Sequence, residues 1–269
     1  MKRALDFDFS ELSLFESICS ASKFIRSDFP VKYVVQKLES MIKETQDVIM
    51  SEQDTYFKLK RLIKLFYRDW KFECACGVYK LSDTLWLDYV LNTCHGTAVS
   101  LGIIFLYLAK KFNLNVEPVI FPTQLILSSH DLQGNVWFIN PLNGETLNKR
   151  ILRVWLQGSV SPTAELYDNY LSKAKSLDVV RKMLDILKIA LMEEKNMELA
   201  LNVSNLLLKI NPKDPYEIRD RGLIYAQLEC NHVALADLIY FIKHCPEDPI
   251  SEILKIQVHS MEQKTTILH

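Results

Sequence analysis

The sequence predicts an α+β fold that is mainly helical, with a small antiparallel sheet in its first half and helices alone in its second. Three observations predict it. Apolar residues recur at helical spacing through most of the chain, as at Tyr56, Phe57, Leu59, Leu62, Ile63, Leu65 and Phe66. Between residues 116 and 139 that period gives way to three short runs rich in β-forming residues. Beyond them, Asn211-Pro212-Lys213-Asp214-Pro215 recurs thirty-four residues later as Cys245-Pro246-Glu247-Asp248-Pro249.

Residues 10–50 carry two amphipathic stretches divided at Phe29-Pro30, the first opened by Ser10 and Glu11 and closed by Asp28, and both read as surface helices. Residues 52–68 set Lys and Arg between the apolar positions named above, which makes a helix with one face on a core. After Gly77, Leu81-Ser82-Asp83 reads as a helix start capped by Ser82 or Asp83, aiming Leu85, Trp86, Tyr89 and Val90 inward. A further helix runs from Gly96-Thr97 through Lys111. The β runs are 116–121, 124–127 and 136–139. Gly134 and the polar residues between His130 and Asn135 supply a turn, and Asn140-Pro141-Leu142-Asn143-Gly144 ends the last strand. Helical patterns resume from about Ile151, and the polar segment 159–162 marks the junction between a first domain, 1–160, and a second, 161–269.

The thirty-four-residue period is that of tetratricopeptide repeats, helix pairs stacked to expose a concave groove. Gly222, Tyr225, Ala234, Leu238 and Phe241 precede Pro246 at the spacings of that pattern, and Leu187, Leu191, Ala200, Leu207 and Pro212 stand one frame earlier. Gly or Ala lets paired helices approach, large apolar residues fill the space between them, and Pro stops the second helix. Two units with a terminal helix from about Ile250 fall short of the three repeats a free-standing array needs, so an extensive interface with the first half is expected. The groove-facing positions of such repeats are Lys182, Asp185, Ile189, Met192 and Glu193 in the first unit. In the second they are Tyr216, Arg219, Leu223, Ala226 and Gln227. Tyr and Arg supply stacking and carboxylate recognition and Met supplies adaptable packing, so these are candidate contacts for a protein or peptide partner. The competing arrangement pairs Arg219 with a nearby acid and fills the groove with the first half.

Composition excludes several function classes. With Lys+Arg 32 against Asp+Glu 33 the net charge is -1, which leaves no basic field to collect nucleic acid by counterion release. The first eight residues interleave acids with apolar residues, unlike a signal peptide, and the longest apolar stretch, 97–109, is too short to span a bilayer. Six cysteines at 19, 74, 76, 94, 230 and 245 lack the dense spacing of a secreted disulfide scaffold and imply a reducing, cytoplasmic setting. The chain has only 7 Gly and no Gly-rich phosphate loop.

Helix, strand, hairpin and strand in that order resemble the papain-like transglutaminase core. The supporting stretches are Gly96-Thr97-Ala98-Val99-Ser100-Leu101-Gly102, Phe121-Pro122-Thr123-Gln124-Leu125, Phe138-Ile139-Asn140-Pro141-Leu142-Asn143-Gly144 and Asp214-Pro215-Tyr216-Glu217-Ile218-Arg219-Asp220-Arg221-Gly222. Through them the chain resembles the SirB-type bacterial family over nearly its whole length. The resemblance implies a transglutaminase-like domain packed on tetratricopeptide repeats. It also implies where a catalytic triad would stand: the nucleophilic Cys two residues after a Gly at the helix start, the His on the next strand, and the Asp before a Pro on the last. The matching positions here are Ala98, Gln124 and Asn140. Alanine has no nucleophile and a glutamine amide is no general base, so the domain reads as a degenerate enzyme core.

Cys94-His95 opens an alternative, because a Cys at a helix N-terminus has a lowered pKa, and His130 could serve as its base. Nothing in the sequence fixes His130 near Cys94, since it falls in the hairpin loop. A zinc site from Cys74-Ala75-Cys76 and Cys94-His95 fails on spacing, because structural sites place two to four residues between paired ligands. On a strand, Cys74 and Cys76 would share one face. Together these features describe a cytoplasmic, non-enzymatic interaction or regulatory protein with no metal or cofactor. The alternative is a cysteine-dependent acyl transferase or hydrolase using Cys94.

Overall fold

In the computed structural model, which describes residues 9, 12–77 and 80–267, the chain forms two compact units. Residues up to 23 belong with 27–183, and residues 24–26 with those from 184 onward.

The first unit opens with α1 (Leu14–Ile25) and α2 (Val31–Met50), divided at Phe29-Pro30. Ser10 and Glu11, expected to open the first helix, lie outside the described residues. Ser13 stands before its first turn, the Ser13 hydroxyl and amide donating to the Glu16 carboxylate at 2.7 and 3.0 Å. Both are core helices with one wet face, not surface helices. Phe15, Ile18 and Cys19 on α1 are buried, as are Val34, Leu38, Met41, Thr45 and Ile49 at helical spacing on α2. In α3 (Thr55–Lys64), Asp54 accepts from the Tyr56 amide at 2.7 Å, and a π-helical turn over Leu65–Asp69 extends the helix. Phe66 there is fully buried, stacked on Phe72 and edge-on to Phe105, whereas Phe57 is half exposed.

After β1 (Glu73–Cys74) come turns, and α4 spans Leu87–Thr93. The helix expected to start at Ser82 or Asp83 therefore begins later. The Ser82 carbonyl accepts from the amides of both Leu85 and Trp86, which makes tight turns in place of an α-helical first turn. Leu85, Trp86 and Val90 are buried, but Tyr89 is exposed. β2 (His95–Gly96) pairs in parallel with β1 and leads into α5 (Ala98–Lys111). Thr97 and Ser100 form a capping box at its start.

Strands β3 (Glu117–Ile120), β4 (Leu125–His130), β5 (Val136–Ile139) and β6 (Thr146–Leu147) form an antiparallel sheet in sequence order. Alternation along β4 divides its two faces. Leu125 and Leu127 meet α5 at Gly102, where a Cβ would lie 2.7 Å from Leu125 Cδ2. Ile126 points the other way, into a cluster with Val119, Phe121, Phe138, Leu147 and, from α6 (Lys149–Ser159), Leu152 and Leu156. His130 is the last residue of β4, opposite Val136, so the turn proper is 131–135. Asp131 organises it by accepting from the amides of Gln133 and Asn135 at 2.9 and 2.8 Å. Residues 164–171 also pack on the α6 side of the sheet, and the Ala174 amide donates to Pro118 at 2.8 Å. The first unit thus continues past the polar segment at 159–162.

The helices that follow are α7 (Ser176–Glu193), α8 (Met197–Ile210), α9 (Pro215–Gln227), α10 (Asn231–His244) and α11 (Pro249–Ile267). The repeated Asp-Pro starts helices. Asp214 accepts from the amides of Tyr216 and Glu217 with Pro215 at the first helical position, and Asp248 repeats this with the Ile250 amide. Between α9 and α10, a Cβ on Gly222 would lie 3.0 Å from Asp237 Cβ and Leu238 Cδ2, which is the close approach the repeat frame requires.

Candidate functional site

The three positions matched to a catalytic triad lie on α5 and the sheet. Ala98, the first residue of α5, is buried, and one turn later Gly102 stands against Leu125 and Pro141, the chain neighbours of Gln124 and Asn140. Asn140 is buried at the end of β5, and its Oδ1 accepts from Gln124 Nε2 at 3.3 Å and from the Leu142 amide at 3.1 Å. The Asn140 backbone is fixed from both sides, its amide donating to Glu145 O and its carbonyl accepting from the Gly144 amide, each at 2.8 Å. Tyr67 adds a bond from its hydroxyl to Pro141 O at 2.9 Å. Gln124 and Asn140 therefore meet as a neutral amide pair, and both Thr97 and Ser100 beside Ala98 are committed to the helix cap.

Cys94 does not sit at a helix N-terminus. It is the C-terminal cap of α4, in the left-handed conformation at φ 60, with its amide donating to Val90 O at 2.8 Å. That end of a helix carries partial negative charge and disfavours a thiolate. Burial pushes the thiol pKa up, only partly countered by Lys37. His95 turns its ring between the Glu73 carboxylate at 3.0 Å and Thr93 O at 2.5 Å. His130 ends a strand of the other sheet. Alkylation of Cys94 by iodoacetamide is accordingly expected to reach half-maximal rate above the ordinary thiol value of about 8.5. A pH–rate profile on a chain retaining only this cysteine checks it, and a midpoint below 7.5 would refute the geometry.

All six cysteines are free, and among the described residues no group of three or more His, Cys, Asp or Glu side chains could hold a metal ion. No helix among them is long and apolar enough to cross a membrane.

On the repeats, the Tyr216 hydroxyl donates to Asp248 at 3.2 Å, and the Arg219 guanidinium lies 5.3 Å from the ring centres of both Tyr216 and Phe241. Arg219 also donates to Asp220 Oδ1 at 2.6 Å, so it is already paired with an acid. Leu223 packs into the Ala234, Leu238 and Phe241 cluster. Ala226 and Gln227 line a groove of about 490 Å³ together with Asn231, Ile253, Ile256 and Met261. The positions on α7 do not line it. Lys182, Asp185 and Met192 are half-buried, while Ile189 and Glu193 are exposed.

The transglutaminase-like superfamily matches residues 32–185, and Protein SirB1 of Salmonella typhimurium is 51% identical over 269 residues, 100% of both chains. The chain belongs to the SirB1 family. Other SirB1-like relatives include the UPF0162 protein YchA of Escherichia coli, 50% identical over 100% of both chains. A UPF0162 protein of Buchnera aphidicola subsp. Baizongia pistaciae is 65% identical over 98% of each. The tetratricopeptide repeat matches residues 187–259 of this SirB1-family chain. No solved structure matches it.

One polar cluster escaped the sequence reading. Lys188 Nζ, 5% exposed, contacts Glu217 Oε2 at 2.5 Å and Asp220 Oδ2 at 2.8 Å, and Ser204 Oγ donates to Glu217 Oε1 at 2.7 Å. Lys188 precedes Gly222 by thirty-four residues, so it holds the close-packing position of its own repeat. A cation where the frame calls for a small residue was the signal.

Proposed function

We propose that this chain is a non-catalytic interaction or regulatory protein of the cytoplasm, in which the transglutaminase-like cleft serves as a scaffold and the repeats receive a protein or peptide. The Gln124–Asn140 hydrogen bond, together with an alanine at position 98 at the start of α5, carries the reading. Acyl transfer needs a nucleophile and a base within hydrogen-bond reach, and these three side chains offer neither. Loss of the nucleophile alone removes roughly a millionfold of rate in a protease triad. The exposed Tyr216 and Gln227, with Arg219 and Leu223 between them, supply the aromatic, polar and apolar contacts of a recognition face, and the Ile253 and Ile256 side chains beside them are 65% and 74% exposed. Six free thiols favour a reducing compartment, and a net charge of -1 argues against nucleic acid as partner.

A cysteine enzyme built on Cys94 has less support, because the α4 terminus and burial both raise that thiol's pKa. The test is incorporation of a fluorescent primary amine into a glutamine-donor protein, together with hydrolysis of thioester and ester substrates by the full chain. No turnover above buffer is expected, and Cys94→Ser should change nothing. Turnover that Cys94→Ser abolishes would sink the proposal.

A further inference from the structure

Cys74 and Cys76 are absorbed by neither the cleft nor the repeats. Cys74 closes β1 and is half-buried, while Cys76 is exposed two residues on. Side chains two apart on extended chain project from the same face, and the pairing of Glu73 and Cys74 with β2 continues through Ala75, which sets both thiols on one face. The segment is tied to the entrance of α5 by two ladder bonds, from the Glu73 amide to Cys94 O at 2.9 Å and from the Ala75 amide to Gly96 O at 3.1 Å. Gly77 follows at φ 113, with nothing within 4 Å of where its Cβ would be.

We propose that Cys74 and Cys76 form a reversible dithiol–disulfide pair, oxidised by low-molecular-weight disulfides such as glutathione disulfide and reset by the corresponding thiol. The exposed Cys76 thiolate attacks one sulfur of the glutathione disulfide. A Cys76–glutathione bond forms, and a glutathione thiolate leaves and takes up a proton. The Cys74 thiolate then attacks the Cys76 sulfur, closing the Cys74–Cys76 bond and expelling the second glutathione as its thiol. Two protein thiols lose two electrons and two protons, and one disulfide becomes two thiols. Accessibility sets the order, because Cys74 is half-buried and burial pushes its thiol pKa up, whereas Cys76 is exposed to incoming disulfides. Extended residues two apart have Cα atoms roughly 6.6 Å apart, near the upper limit of disulfide geometry, so closure pulls the segment short. Exposed, strained disulfides are the readily reduced class, which suits transient use in a reducing compartment.

Ala75 lies inside the ring that closes, so oxidation draws its amide off Gly96, the residue before the Thr97 cap of α5 and the buried Ala98. The cleft entrance is thereby coupled to thiol redox state. The full chain is equilibrated in glutathione redox buffers, quenched with an alkylating agent and mapped by mass spectrometry. Oxidation should yield a peptide holding Cys74 and Cys76 that is two hydrogen atoms lighter and protected at both thiols. Excess reduced glutathione should restore it, Cys94→Ser should leave it unchanged, and Cys76→Ser should abolish it. A lasting glutathione adduct on Cys76 with Cys74 still alkylated, or a bond to Cys94, would overturn the pairing. Hydrogen exchange at the Ala75 amide should quicken by about tenfold in the oxidised chain; an unchanged rate would overturn the coupling to α5.

Discussion

Replacing Gly144 with alanine is expected to lower the unfolding free energy of the first unit by about 3 kcal/mol. Two effects add. Gly144 has φ 74, where an L side chain costs about 1 kcal/mol. Its Cβ would also strike the Tyr67 ring, reaching 2.7 Å from Cε2, and would stand 2.9 Å from Ile63 Cγ2. The ring cannot retreat easily, since its hydroxyl is held by Pro141 O at 2.9 Å and it packs between Phe66 and Phe105. Gly134 separates the two effects. It has φ 82, but nothing lies within 4 Å of a Cβ there, so Gly134→Ala should show the backbone cost alone. All four tryptophans, at 70, 86, 137 and 155, lie in this unit, so urea unfolding followed by their fluorescence reports on it. Equal losses for the two variants would mean that the Tyr67 contact contributes nothing. Because Gly144 also donates to Asn140 O at 2.8 Å, its displacement should disturb the amide pair in the cleft.

The repeats were legible in the sequence because their punctuation is local in the chain. Asp214 and Asp248 are caps, Pro215 and Pro249 are first-turn residues, and neither role depends on distant contacts. The sheet was legible for a similar reason, as the alternation of Leu125, Ile126 and Leu127 places α5 and α6 on opposite faces. Two-residue strands carry no periodicity, which is why β1, β2 and β6 went unseen. The α4 boundary was misplaced for a different reason. Ser82 has a good capping side chain, but its carbonyl is taken by tight turns. Cys94 misled through its conformation: a left-handed helix end is usually marked by Gly or Asn, so nothing in Thr93-Cys94-His95 announced a C-terminal cap. The cleft positions came from family resemblance and not from spacing, since sixteen residues separate Gln124 from Asn140 and only strand pairing brings them together.

Removing the Lys188 charge is expected to cost the second unit about 4 kcal/mol, because breaking a buried ion pair strands its partner. In Lys188→Met, Glu217, which is 6% exposed, keeps the Ser204 hydroxyl but loses its counter-cation, while Asp220 retains Arg219 at 2.6 Å. The uncompensated charge therefore falls on Glu217. Adding Glu217→Gln should recover most of the loss, since the amide oxygen still accepts from Ser204 and no bare charge remains. The pH dependence separates charge from packing. Burial pushes the Glu217 carboxyl pKa up and Lys188 pulls it down, so the variant leaves the upward push opposed only by the Ser204 hydroxyl. A carboxyl whose folded pKa lies above its unfolded value favours folding when protonated. The deficit of Lys188→Met should thus be smallest below about pH 4.3 and grow as pH rises through the folded value. In the native chain burial lowers the Lys188 pKa but Asp220 and Glu217 outweigh it, so that pKa is raised; this contribution persists below about pH 10.4 and fades only above it. Hydrogen exchange at amides of α8 and α9 measures the effect in the right unit, which no tryptophan reports. A deficit that stays constant from pH 4 to pH 8 would assign the loss to packing of the lysine stem and not to the stranded carboxylate.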